Sequence, residues 1–317
     1  MIVNIPPWAD LQTISLQLYF KAWDEATSVV TDFRAVYDDE GWEEGWREYL
    51  DAAQTDLQGT YTLIQQSQEI GIKALIAQVS PFLLLKRHET RPIAPNAMEY
   101  DFSDFPTIDA GELLRVHDTF CDRRLSEAFA VEFDKLRRGR NKIAHLGLFN
   151  QKLDPHELLS LLLLQYEELY PNRHWLPDRL DFASKGRFSE MDFEGHWHVE
   201  AHVLQALWEV VPDLSPEQFK IVFGHAPEDE RFICLDCAYA LERHTEGNEP
   251  YPADIPTAYR IRTDTVQCAM CLKEHQVKDG VCANPDCEGR TLAAHVEHGD
   301  ECLTCGWTPE DVQRNAT

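Results

Sequence analysis

Eight cysteines in four close pairs, all within the last 84 residues of a 317-residue chain, constrain the fold more than any other feature of the sequence. Cys234-Leu-Asp-Cys237 and Cys268-Ala-Met-Cys271 are CxxC knuckles, Cys302-Leu-Thr-Cys305 is another, followed by Gly306, and Cys282 with Cys287 forms a wider pair. A knuckle sets two thiolates at one end of a tight turn, and two knuckles complete a tetrahedral four-cysteine site with Zn–S near ~2.3 Å. The start, MIVNIPPWADLQTIS, has no basic segment followed by an apolar run, so no secretory leader is expected. Outside an oxidising compartment, paired cysteines read as metal ligands. We therefore expect two structural zinc ions, with disulfides or an iron–sulfur cluster as the alternatives. Sequential pairing is the simplest assignment: Cys234 and Cys237 with Cys268 and Cys271, and Cys282 and Cys287 with Cys302 and Cys305. An interleaved cross-brace is the alternative, and His275, His295 and His298 are spare ligands. Sites made of four cysteines have no open coordination position, so no catalytic metal is expected. Cys121, apart from the pairs, reads as a small buried hydrophobe.

Ahead of the cysteines the pattern is helical. Apolar residues recur every three to four positions over 8–36 and again from about 44 to 79, where Ser80-Pro81 breaks the run. The Pro- and Asp-rich stretch 90–110 reads as a loop, with Asp109 or a neighbour starting the next helix. The segment LSEAFAVEFDKLRRGRNKIAHL ends at Gly147, a C′ residue, and Asp154-Pro155 suits the N-cap and N1 of DPHELLSLLLLQYEELY. PNRHWLPDRL reads as a Pro-rich connector, and helices follow at about 195–211 and 215–224. The fold class expected is mainly α: a helical bundle followed by a small Cys-rich zinc-ribbon domain. The organisation expected is an N-terminal helical extension (1–54), a helical domain (55–172), a helical connector packing on it (173–225) and a two-site zinc-ribbon module (226–317).

The chain carries 55 Asp and Glu against 29 Lys and Arg, a net charge of −26, which argues against broad nucleic-acid binding. Over 123–142 the sign reverses, with seven Lys and Arg against three Asp and Glu. The centre of this reversal is RRGRNKIAHLG, residues 137–147. Asn141 and His145 are i, i+4 and share a helix face, so the Asn amide could fix the imidazole tautomer. Arg140 presents a fork that fits phosphate oxygens. Arg137, Arg138 and Lys142 are the further residues expected to contact RNA phosphates. A histidine beside such an arginine suffices to move the 2′-OH proton and stabilise charge on phosphorus without a metal. The bland alternative is a surface arginine and a histidine at a helix C-terminus.

The Arg140-Asn141-x-x-x-His145 motif, with Glu69-x-x-x-Lys73 upstream, resembles the HEPN family, over roughly residues 55–170. Ala74 stands where the family commonly has a further basic residue. The resemblance implies an all-α bundle and a metal-independent endoribonuclease, in bacteria often a toxin or anti-phage effector cutting transfer or messenger RNA. It assigns His145 as general acid/base, Arg140 to the scissile phosphate, Asn141 to orienting His145, and Glu69 and Lys73 to supporting the site. It also implies a homodimer with a composite site. Gly139 fits either close approach at such an interface or a simple helix irregularity. The alternative from a different class is a non-catalytic interaction or regulatory module.

Residues 226–317 carry 18 Asp and Glu against eight Lys and Arg, so the zinc module is expected to bind a protein partner rather than RNA. His196, His198 and His202 read as packing or surface residues. The aromatic N-terminal half (Trp8, Tyr19, Phe20, Trp23, Phe33, Tyr37, Trp42, Trp46, Tyr49) reads as core and interface. No apolar run approaches the ~20 residues that span a bilayer, so a cytoplasmic protein without membrane association is expected.

Overall fold

A computed structural model describes residues 1–36, 42–86, 99–146, 151–186, 199–245, 254–295 and 299–310. Nine α-helices occur among the described residues, and the chain divides into two compact units, Met1–Pro171 and Asn172–Thr317.

In the first unit α1 (Trp8–Val36) and α2 (Trp42–Val79) form a long antiparallel pair. Ser15 of α1 meets Ser67 of α2, while Phe33 packs its ring 4.8 Å from Trp46 at the other end. Helix α2 runs through residue 54 without interruption, so no extension separates there from a domain beginning at 55. Its apolar face (Leu57, Ile64, Ile72, Ile76) is fully buried, which is why the helix continues. Pro81 ends it, as expected, in a single 3₁₀ turn, Pro81–Leu84.

Three helices pack on this pair: α3 (Ala110–Phe120), α4 (Glu127–Leu146) and α5 (Pro155–Leu169). The Asp154 side chain caps α5 by accepting from the backbone N–H groups of His156 and Glu157. Helix α5 is parallel to α2, because Gln54 bonds Leu153 near its start and Gly71 touches Leu169 near its end. Helix α4 is antiparallel to α2. Tyr61 donates to the Lys135 carbonyl at 3.1 Å, whereas Cys121, ahead of α4, lies against the Leu75 carbonyl. Cys121 is half-buried, and burial pushes its thiol pKa up. Tyr19, Phe20, Trp23 and Phe33 are buried core as expected, and Trp8 and Trp42 are exposed. Tyr37 and Gly147 lie outside the described residues.

A buried polar cluster fixes the register of α1, α2 and α5. Ser15 and Ser67 each donate to the other's carbonyl, at 2.6 and 2.8 Å, Ser15 Oγ lies 2.6 Å from Tyr170 Oη, and Gln165 Nε2 donates to Ser67 Oγ at 2.7 Å. Sliding one helix by a residue would strand these groups in the core, each at about 1–3 kcal/mol.

The second unit begins with α6 (Trp175–Ser184), where a connector was expected. Pro177 sits in the first turn, where its missing N–H would have no helical partner in any case. Helices α7 (Val199–Val210) and α8 (Pro216–Phe223) follow. A full capping box between Ser215 and Gln218 opens α8, and Gly224 closes it at φ 74°. The segment 173–225 thus falls in the same compact unit as the cysteines. The cysteine region is more than a ribbon. Whereas the first unit has the short parallel pair β1 (Ile2–Val3) and β2 (Tyr100–Asp101), this region holds a helix, α9 (Leu235–Thr245), and an antiparallel sheet ordered β3-β4-β5-β6-β7-β8: Arg231–Phe232, Ala258–Arg262, Thr265–Cys268, Glu274–Asp279, Thr291–His295 and Gly299–Cys302. The sheet curls on itself, for Ile233 beyond β3 donates its N–H to the Leu303 carbonyl beyond β8 at 2.7 Å.

Gly139 is buried at the α2–α4 crossing, and a Cβ there would lie 2.8 Å from Cε1 and Cζ of Tyr61. The glycine therefore answers to an intrachain contact. Gly139→Ala is expected to destabilise the first unit by about 1–2 kcal/mol, because overpacking outweighs the gain in helix propensity, about 1 kcal/mol. Thermal melting checks the sign: a simple helix irregularity would instead give a more stable variant.

Candidate metal centres and the basic end of α4

Four sulfurs meet at each of two places. Cys234, Cys237, Cys268 and Cys271 form one tetrad and Cys282, Cys287, Cys302 and Cys305 the other, each with all ligand atoms within 4.8 Å of one another. This is the sequential pairing. A zinc tetrahedron with ~2.3 Å Zn–S bonds has edges of about 3.8 Å. The first tetrad has S···S separations of 3.6 Å (Cys234–Cys271) and 3.9 Å (Cys237–Cys268). The second has 3.6 Å (Cys282–Cys305) and 4.0 Å (Cys287–Cys302). These spacings fit four thiolates around one ion, and they are too long for disulfide bonds, at ~2.05 Å.

Local structure builds each tetrad. In the first, Cys234 precedes α9 and Cys237 lies in its first turn, where the helix dipole favours thiolate. Across the sheet Ala258 pairs with both Phe232 and Cys268, bringing the second knuckle to the first. The knuckles turn through left-handed backbone at Leu272 (φ 62°) and Gly306 (φ 79°). Without a cation the first tetrad must share protons. Hydrogen bonding from Cys234, then from Cys268 and Cys271, pushes the Cys237 pKa far up, while bonds from Cys234 and Cys237 hold Cys268 far down. A divalent cation removes the conflict by replacing the protons. His275, one of the spare histidines, brings Nε2 to 3.3 Å from Cys234 Sγ and 3.7 Å from Asp236, and these three form a further group that could hold an ion; with Cys234 bound in the tetrad, His275 would instead be an outer donor to its thiolate. His298 lies outside the described residues.

The basic stretch is less cationic than its sequence. Arg137 and Arg138 both reach Asp134, one to each carboxylate oxygen, at 2.6 Å. The Arg137 hydrogen bond holds the Asp134 pKa below the usual carboxylate value. Lys135 pairs with Glu132 and Arg123 with Glu168. Among the described residues Arg124, Arg140 and Lys142 have no carboxylate partner. The pairings of Arg137, Arg138 and Lys135 were readable in the sequence, since Glu132 and Asp134 stand at i, i+3 and i, i+4 spacing from these cations.

Arg140 is half-buried, and its Nη1 donates to Asn141 Oδ1 at 3.4 Å. Asn141 thus engages Arg140; no hydrogen bond joins it to His145 among the described residues. His145 is exposed in the last turn of α4. Glu69 and Lys73, half-buried on α2, form no ion pair with each other among the described residues. The fold does not bring them to Arg140 and His145. From the Tyr61–Gly139 contact, α2 runs on to Glu69 and Lys73 while α4 runs the opposite way to His145. At ~1.5 Å of rise per residue this separates His145 from Glu69 by about 20 Å, and from Lys73 by more. His196 and His198 lie outside the described residues, and His202 is exposed on α7. No described helix is long and apolar enough to cross a membrane.

The purified protein is expected to carry two zinc ions per chain, and Cys237→Ser and Cys302→Ser are each expected to lose one. Elemental analysis with thermal melting checks this, with a lowered melting temperature for each variant because metal affinity is folding free energy.

Comparison of the chain with protein-family models, with curated proteins and with solved structures found no match.

Proposed function

We propose that the last turns of α4 form an RNA-phosphate site at which Arg140 and His145 carry out metal-independent endonucleolytic cleavage. One observation carries the reading: His145 is an exposed imidazole, one and a half turns from an arginine that has no carboxylate partner among the described residues, on a chain of net charge −26. The neighbouring cations are mostly neutralised, so the remaining positive charge is concentrated on Arg140 and Lys142. His145 would take the 2′-OH proton, the 2′-oxygen would attack phosphorus, and the bond to the 5′-oxygen would break as that oxygen is protonated. The products are a 2′,3′-cyclic phosphate and a 5′-hydroxyl. Arg140 would stabilise the charge on the phosphoryl oxygens, and Asn141 would position Arg140. The homodimer implied by the HEPN resemblance would supply a second imidazole as the acid. A toxin or anti-phage role rests on that resemblance. Two zinc ions would be structural, leaving the second unit free for a protein partner.

The separation of Glu69 and Lys73 from His145 favours a second reading, a non-catalytic module in which the Arg–Asn–His cluster is structural.

Cleavage of transfer and messenger RNA in excess EDTA, by wild type and His145→Ala of confirmed zinc content, separates the two. Wild type is expected to leave cyclic phosphate ends, and His145→Ala to fall at least ~10²-fold. Equal activity of the two proteins, or none in either, contradicts the nuclease.

A further inference from the structure

The two cysteine tetrads are protected unequally. In the first, Cys234, Cys237 and Cys268 are buried and only Cys271 is half-buried. Side chains lie within hydrogen-bond distance of its sulfurs and would donate to thiolates: His275 Nε2 is 3.3 Å from Cys234 Sγ and Thr257 Oγ1 3.3 Å from Cys268 Sγ, with the Met270 and Cys271 N–H groups also on Cys268. Lys273 adds a cation nearby, held by Asp236. In the second tetrad both Cys287 and Cys305 are half-buried. The donors on its sulfurs are backbone N–H groups: Asn284 to Cys282 at 3.4 Å, Gly289 to Cys287 at 3.3 Å, Thr304 and Cys305 to Cys302, and Trp307 to Cys305. Asp286 and Glu288 flank Cys287, and Asp300 and Glu301 precede Cys302. Hydrogen bonds and positive charge withdraw electron density from a metal-bound thiolate, and burial keeps oxidants away. The second tetrad is the less buried of the two, and its recorded donors are backbone groups, without a counterpart to His275 and Thr257 among the described residues.

We propose that the second tetrad is a peroxide-sensitive modification site, at which oxidation of Cys305 and Cys282 to a disulfide expels one zinc ion while the first site keeps its own. The Cys305 thiolate attacks one peroxide oxygen, the O–O bond breaks, and hydroxide leaves, with Cys305 as the sulfenic acid. The Cys282 thiolate, its Sγ 3.6 Å away, attacks that sulfur and displaces a second hydroxide. The two sulfurs give two electrons to the peroxide, and two solvent protons complete two waters. Cys287 and Cys302 alone hold zinc too weakly, and the ion leaves as Zn²⁺. The change reaches the rest of the sheet through the Ile233–Leu303 hydrogen bond, which joins the residue before Cys234 to the residue after Cys302. Half-buried Cys305, on the knuckle it shares with buried Cys302, is thus a trigger set against the closure of the sheet.

The inference rests on the reading of both tetrads as zinc sites, so the experiment begins by counting zinc in the full-length protein. Fewer than two ions per chain contradicts that reading rather than the difference between the sites. The two-zinc protein is then treated with a few-fold excess of hydrogen peroxide. Zinc release is followed with a colorimetric chelator, and oxidised pairs are mapped by differential alkylation and mass spectrometry. One ion per chain is expected to leave at least about tenfold faster than the other, together with a Cys282–Cys305 disulfide, and to return after thiol reduction with added zinc. In His275→Ala and, separately, Thr257→Val, release of the second ion is expected to accelerate towards the first. Simultaneous loss of both ions, earlier oxidation of the first tetrad, retention of both ions, or an unchanged second rate in both variants overturns the proposal.

Discussion

Eight thiols gathered into two tetrads are the constraint that everything from residue 231 onward obeys. Thiols this close cannot all ionise beside one another without a cation, nor can they all stay protonated without competing for one another's lone pairs. The strands between them are short, from two to six residues. Between them lie buried apolar residues, among them Phe232, Ile233, Leu241, Val266 and Leu303. The tetrads would add metal-dependent cohesion to that core. Each ties together segments distant in sequence, and the curl of the sheet places the residues beside Cys234 and Cys302 in hydrogen-bond contact. Four sulfurs around one ion leave no open position, so a metal held there would serve architecture and thiol chemistry rather than substrate activation.

The first unit is organised differently, around α2. The helices α1, α3, α4 and α5 all pack on it, and their directions are set by a few specific contacts rather than by apolar packing alone. Ser15 against Ser67 fixes α1, Gln54 against Leu153 fixes the start of α5, and Tyr61 against Gly139 fixes α4. The last of these matters most for chemistry. It decides that the C-terminal turns of α4 lie beside the first half of α2, so that within one chain Glu69 and Lys73 stand about 20 Å or more from His145. Charge is limited in the same region: with Asp134 engaged by Arg137 and Arg138, the positive potential is narrow and confined to the helix end.

Much of this was legible in the sequence where the information is local. The tetrads were, because knuckle spacing encodes ligand geometry within a few residues. So were the helix boundaries at Pro81 and Asp154, because a proline and a cap act on their own turn. The neutralisation of Arg137 and Arg138 was equally local, since Asp134 precedes them by three and four residues. Three features were not legible. Helix α6 hid behind Pro177, which signals a break anywhere but the first turn. Helix α9 hid behind Cys237, a ligand that doubles as a helical residue. The remoteness of Glu69 and Lys73 from His145 hid in the crossing of two helices, which no single-helix pattern contains. Spacing showed that each pair shares a helix face, but only the Tyr61–Gly139 contact fixes where those faces stand relative to each other. His275 stood between these cases: the sequence offered it as a spare ligand, and the fold sets it beside Cys234, a ligand of the first tetrad.

The identity of the ions in the tetrads decides whether metal holds this architecture together. Zinc K-edge X-ray absorption on the full-length protein reads the ligand set without reference to any activity. Four sulfur neighbours per zinc at about 2.3 Å, with no nitrogen or oxygen shell at ~2.0–2.1 Å, is the result predicted. A mixed sulfur–nitrogen shell, which would make His275 a ligand, or a protein without bound zinc, would contradict it.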